Sequence, residues 1–139
     1  MTTQTKGDAT KFGELKVSRG QMGAVSSPTR GVWFGGSIYG PDAPAYTIYN
    51  VIDFITLASE GNATDFGDSR YAVSGIHFTT ATGSNSIRGV IGGGSNPSVQ
   101  TEIQYITIAS TGNASDFGDL SASKYNGAGA SDAHGGLGL

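Results

Sequence analysis

The sequence predicts an all-β chain built from two similar four-stranded units, and three observations carry that expectation. The stretch IDFITLASEGNATDFGD, residues 52–68, returns at residues 103–119 as IQYITIASTGNASDFGD, with twelve of seventeen positions identical. Self-similarity of this length marks a repeat architecture. Of 139 residues 23 are Gly and only 14% are charged. Gly and Asn supply positive φ in turns, while Val, Ile, Tyr, Phe and Thr fit pleated surfaces, and charge is too sparse for ordinary disorder. Finally, Ile52 and Phe54 alternate with Val51, Ile55 and Leu57. Both faces of that segment are largely apolar, so it belongs inside a sheet covered on both sides.

Taken in order, the chain opens with a basic N-terminal arm, residues 1–11, followed by a single all-β repeat domain over 12–139. The repeat units run over about 16–68 and 69–119, with a truncated unit at 120–139. The net charge of −3 divides into +3 through Arg30 and −6 from Gly31 onward. The arm, Met1 to about Leu15, has one Phe and one Leu. That is too little apolar area to offset a backbone ordering cost of about 1–2 kcal/mol per residue, so it is expected to dock on an acidic partner surface and not on its own core. A body of −6 argues against nucleic acid as a partner. No basic segment precedes an apolar stretch and no run reaches membrane-spanning length, so neither a signal peptide nor a membrane span is expected. Cysteine is absent, which removes disulfides, thiolate metal sites and cysteine nucleophiles.

Within each unit four strands are expected. Strand a follows Phe-Gly-Asp, as in RYAVSGIHF at 70–78; strand b is RGVWFGG or RGVIGGG; strand c is NVIDFITLAS or TEIQYITIAS; strand d is TDFGD or SDFGD. Gly, Pro and Asn punctuate the connections, as hairpins require. The doublets Gly35-Gly36 and Gly92-Gly93 close strand b, and Gly61-Asn62 and Gly112-Asn113 make the c-to-d turns, where left-handed geometry is tolerated. Phe66 and Phe117 are expected to anchor strand d, each worth about 3–5 kcal/mol if buried. A partial third copy of strand d, KFGEL, precedes the first unit.

Four strands in about 50 residues with a closing Gly doublet resembles the kelch type of β-propeller blade, although Phe stands where kelch repeats carry Trp in strand d. A β-sandwich or β-solenoid is the alternative. The pattern IDFITLASEGNATDFGD, followed by a Ser/Arg-rich strand, RGVxxGG and a closing HGGLGL, is also similar to the Phe-Gly-Asp-Leu repeats of virion proteins of large tailed bacteriophages, especially those of cyanobacteria. This resemblance covers about Phe12 to the C-terminus. It implies a non-enzymatic virion protein, a capsid decoration or tail accessory, made in the host cytoplasm and carried on the particle.

Several motifs are weighed and set aside. Asp65-Phe66-Gly67 and Asp116-Phe117-Gly118 match the kinase metal-binding triplet, but the rest of that signature is absent. No phosphate-binding GxxxxGK[ST] occurs, and Asn62-Ala63-Thr64 and Asn113-Ala114-Ser115 read as turns and not as glycosylation sites. Asp65, Asp68, Asp116 and Asp119 are too few for a calcium shell, so no metal or other cofactor is expected. An alternative use for these four carboxylates is pairing with Arg30 or Arg88 between strands or units. His77 reads as structural, and His134 stands in a degenerate strand b. No Ser-His-Asp grouping can be nominated, so catalysis is not expected.

The best candidate for contact is the insertion SIYGPDAPAYTIY, with Trp33, Tyr39, Tyr46 and Tyr49. Aromatic faces serve subunit interfaces and stack on sugars, and interface is favoured over glycan. Two units cannot close a propeller alone, which needs about four to eight blades. The expected partner is therefore the chain itself, in a closed homo-oligomer with a trimer favoured, together with other phage virion proteins. The competing reading is a tail-associated adhesin for host-surface polysaccharide.

Overall fold

The computed structural model describes residues 8–38, 47–72, 81–95, 98–124 and 127–129, and among these there is no helix. The strands are β1 (Gly23–Ser26), β2 (Arg30–Phe34), β3 (Ser37–Ile38), β4 (Thr47–Ile48), β5 (Val51–Thr56), β6 (Thr64–Asp68), β7 (Ala81–Ser84), β8 (Arg88–Gly92), β9 (Glu102–Thr107) and β10 (Ser115–Asp119). They form two four-stranded antiparallel sheets, β1-β2-β5-β6 and β7-β8-β9-β10, one per repeat. The two sheets are register copies of one another. Arg30 opens β2 opposite Thr56 of β5, and Arg88 opens β8 opposite Thr107 of β9. Strands β3 and β4 make a small ribbon from the insertion that distinguishes the first unit.

Each outer strand carries one irregularity at the same place. Pairing of β6 with β5 jumps from Asp65 to Gly67, and pairing of β10 with β9 jumps from Asp116 to Gly118. The residue skipped is Phe66 or Phe117. A bulge leaves one residue out of the ladder and re-aims its side chain. The Gly that follows takes a φ of 145° at Gly67 and 139° at Gly118, which β-carbon-bearing residues rarely adopt. The Phe-Gly pair in the repeat is thus the sequence form of a bulge.

The two sheets share one core. Val25, Val32, Phe34, Ile52 and Phe66 of the first meet Ile91, Ile106, Ile108 and Ala114 of the second. Inner strand β1 packs on β7 and β8. The approach is close enough that a β-carbon on Gly89 would stand 2.5 Å from Cγ2 of Val25.

Several expectations need correction. The strand paired with β8 is Ala81–Ser84, not residues 70–78, of which 73–78 lie outside the described residues. Strand propensity pointed to the aromatic and branched residues of 70–78, whereas an inner strand crowded by its neighbour takes small ones. GAVS in β1 and ATGS in β7 share that character. The left-handed doublet of the second unit is Gly93-Gly94 (φ 70° and 102°), matching Gly35-Gly36 (56° and 98°), while Gly92 belongs to β8. Asn62 and Asn113 are not left-handed, since Gln21 is the one non-Gly residue with positive φ among those described.

Candidate functional site

The most organised polar feature of the molecule is the junction between repeats, and it occurs twice. At the first-to-second boundary the Gly112 N–H donates to the Phe66 carbonyl at 2.7 Å and the Ala114 N–H to the Asp68 carbonyl at 2.8 Å. The Asp68 N–H in return donates to Oδ1 of Asn113 at 3.0 Å. Ahead of the first unit, the Gly61 N–H donates to the Phe12 carbonyl at 2.9 Å and the Ala63 N–H to the Glu14 carbonyl at 2.8 Å. The Glu14 N–H donates to Oδ1 of Asn62 at 3.0 Å. A Phe-Gly-Asp/Glu edge therefore reads a Gly-Asn-Ala turn by the same three bonds in both places.

The glycines explain why the motif tolerates no side chain at its centre. A β-carbon on Gly67 would lie 2.5 Å from the Gly112 carbonyl oxygen, and one on Gly13 would overlap the carbonyl oxygen of Gly61. Gly118, the third member of the series, faces open space. Its edge has no turn docked on it among the described residues.

A side-chain stack backs the Phe66 and Phe117 edges. The Arg30 guanidinium lies 4.5 Å above the Phe54 ring, which meets Phe66 edge-on at 5.8 Å. Arg88 lies 4.9 Å above Tyr105, which meets Phe117 edge-on at 6.0 Å. In the first unit the stack is covered by the second unit, and Nη1 of Arg30 crosses the boundary to donate to the Ile108 carbonyl at 2.8 Å. Phe66 is accordingly 3% exposed and Phe117 54%. The receiving side shows the same asymmetry: Ile108 is fully buried, whereas Leu57, its counterpart in the first repeat, is 46% exposed.

Inside the sheets, Nη1 of Arg19 meets Oδ2 of Asp53 at 2.7 Å with neither side chain exposed, and Nε of Arg19 donates to the Gly35 carbonyl at 2.6 Å. At the matching position of β9 stands Gln104, also buried, whose Oε1 accepts the Arg70 N–H at 2.7 Å. The Arg70 guanidinium turns outward to Glu102. Burial pushes the Tyr71 hydroxyl above its ordinary pKa, with the neighbouring Glu102 acting in the same direction.

The residues singled out from sequence fare unevenly. Phe66 is a buried anchor, but Phe117 is not, since nothing among the described residues covers it. Asp65 pairs with Lys16 at 3.4 Å and not with Arg30, and Asp116 accepts the Gly118 N–H at 2.9 Å and not a proton from Arg88. The arginines are drawn to aromatic faces instead. Residues 12–15, expected to seek a partner, sit on the chain's own first unit. Trp33 is half-buried in β2 and lines a cleft of about 260 Å³ with Phe12, Leu15, Ile55 and Ala63. Tyr49 is half-buried beside the ribbon, its N–H donating to the Gly36 carbonyl. Tyr39, Tyr46, His77 and His134 lie outside the described residues.

Sequence reasoning missed Asn62 and Asn113 as receptors for a neighbouring strand. The signal was present, since the Gly-Asn-Ala triplet is invariant between repeats and KFGEL precedes the first unit without a sheet of its own. What the arrangement offers chemically is recognition of backbone by backbone, with an Arg-aromatic stack to close the seam. No protein-family model matches the chain, and no curated protein is similar to it.

Proposed function

We propose that this chain is a non-enzymatic surface component of a tailed-bacteriophage particle, a capsid decoration or tail accessory, that assembles with itself through its repeats. The observation that carries the reading is the junction. One edge and one turn of the same design are joined inside the chain, and a matching edge at Phe117 is left uncovered among the described residues. A surface that repeats the chemistry of an internal seam is suited to joining further units. The resemblance of the Phe-Gly-Asp repeats to phage virion proteins supplies the setting. Successive units of this kind close in a kelch-like ring, and three chains supply six sheets, within the range of about four to eight blades of known propellers.

Purified particles test the reading. Gold-labelled antibody against this chain should decorate intact virions in regular array, and particles lacking the protein throughout their surface would overturn it. Trp33 at the wall of its cleft favours one second reading, a host-polysaccharide adhesin. Binding on a glycan array that is lost in Trp33→Ala would put that reading first.

A further inference from the structure

We propose that the edge formed by Arg88, Tyr105 and Phe117-Gly118-Asp119 docks on the Gly61-Asn62-Ala63 turn of a second copy of this chain, and that residues 12–14 of that copy are a built-in stopper that must leave first. This rests on the self-assembly reading above and gives it a site and a gate.

The occupant follows from continuity with the internal junction. The turn that the Phe66 edge holds is Gly112-Asn113-Ala114, and the one other turn of that sequence in the chain is Gly61-Asn62-Ala63. The free edge is already set in its docking form. Phe117 is bulged as Phe66 is, Gly118 takes a φ of 139° against 145° at Gly67, and Arg88 lies on Tyr105 as Arg30 lies on Phe54. Preorganisation of this kind lowers the ordering cost of association.

Residues 12–14 imitate the edge incompletely. They supply Phe-Gly-Glu and the three backbone bonds, but among the described residues no Arg-aromatic stack stands behind them. Phe12 remains 37% exposed, and Leu57 remains 46% exposed. The ion pairs that accompany the segment, Lys11 with Glu14 and Lys16 with Asp65, are exposed and add little. Exchange therefore replaces three hydrogen bonds by three equivalent ones. The surplus is burial of Phe117 and Leu57, together with a bond from Arg88 to the Leu57 carbonyl in the manner of Arg30 and Ile108. Asp119 takes the place of Glu14, so the exchange leaves the charge at the turn unchanged.

Sedimentation velocity over a concentration series tests this on the full-length protein. Wild type should associate reversibly in the micromolar range, and Phe117→Ser, altering an exposed side chain, should weaken association about tenfold or more while leaving the thermal melt in place. Gly13→Val should expel the stopper and strengthen association; Phe12→Ser, a milder change, should do so to a lesser degree if Gly13→Val misfolds. Association that ignores Phe117→Ser would overturn the docking while leaving self-assembly standing. A chain that stays monomeric even with Gly13→Val and Phe12→Ser would overturn it as well. Absence of the protein from particles, by contrast, would sink the virion reading without touching the exchange.

Discussion

Arg19 and Asp53 meet at 2.7 Å in the interior of the first sheet, where neither side chain reaches solvent. Nη2 of Arg19 and Oδ1 of Asp53 find no partner among the described residues, so the pair is enclosed without being fully satisfied. The second repeat meets the same need without charge, through Gln104 and the backbone of Arg70.

Removing one partner should therefore be costly and removing both much less so. Asp53→Ala leaves a buried guanidinium unpaired and should cost about 3–5 kcal/mol. The double variant Arg19→Met/Asp53→Leu should recover most of that loss. Urea denaturation of the three proteins checks the ordering, and equal destabilisation of single and double variants would count against it.

Phe66 and Phe117 occupy the same repeat position and should respond to truncation by very different amounts. Phe66→Ala opens the shared core and should cost about 3–5 kcal/mol. Phe117→Ala alters a surface residue and should stay within about 0.5–1 kcal/mol in the isolated chain. Thermal melts at low protein concentration compare them without interference from association.

Gly67 and Gly118 differ only in what faces them. Gly118→Ala should cost the backbone strain alone, about 1 kcal/mol or slightly more. Gly67→Ala adds a collision with the Gly112 carbonyl and should cost about 2–4 kcal/mol, loosening the seam between the sheets. Amide exchange at Gly112 and Ala114, whose N–H groups bond across that seam, should accelerate in Gly67→Ala and stay unchanged in Gly118→Ala.

Tyr71 gives the chain an alkaline dependence whose sign is fixed by burial. Because its folded pKa is raised, the unfolded chain loses the phenolic proton first as pH climbs past about 10. The contribution is complete below that value and falls away above it. Tyr71→Phe should flatten the decline in stability on the alkaline side, as read from chemical denaturation at successive pH values.

Much of the architecture was legible because the repeat is written in residues whose chemistry is local. Phe-Gly-Asp marks an outer strand, Arg-Gly-Val opens strand b, and the largely apolar segment at Val51–Thr56 is the strand between its neighbours. The inner strand at Ala81–Ser84 was not legible, since its small residues answer to crowding by β1 and not to strand propensity. Nor was the fate of Phe117 visible. Its sequence is that of Phe66, and the difference lies in whether a turn is docked on the edge, which the local residues do not state. The junction is half-written in the sequence: the Phe-Gly-Glu copy at 12–14 is visible there, but its receptor, Asn62, is a turn residue like any other except for the Glu14 N–H that it accepts.

The central claim, that the free edge of one copy takes the turn of another, is tested most directly by crosslinking. The chain has no cysteine, so an introduced pair reports one contact alone. In the internal seam the Ala114 N–H bonds the Asp68 carbonyl, and Ala63 and Asp119 hold the corresponding positions on the turn that residues 12–14 occupy and on the free edge. A disulfide forms where α-carbons come within about 4.4–6.8 Å. Mild oxidation of the Ala63→Cys/Asp119→Cys protein should yield covalent oligomers of defined size, suppressed by adding Phe117→Ser. Oxidised protein that migrates only as monomer, or oligomers indifferent to Phe117→Ser, would contradict the account.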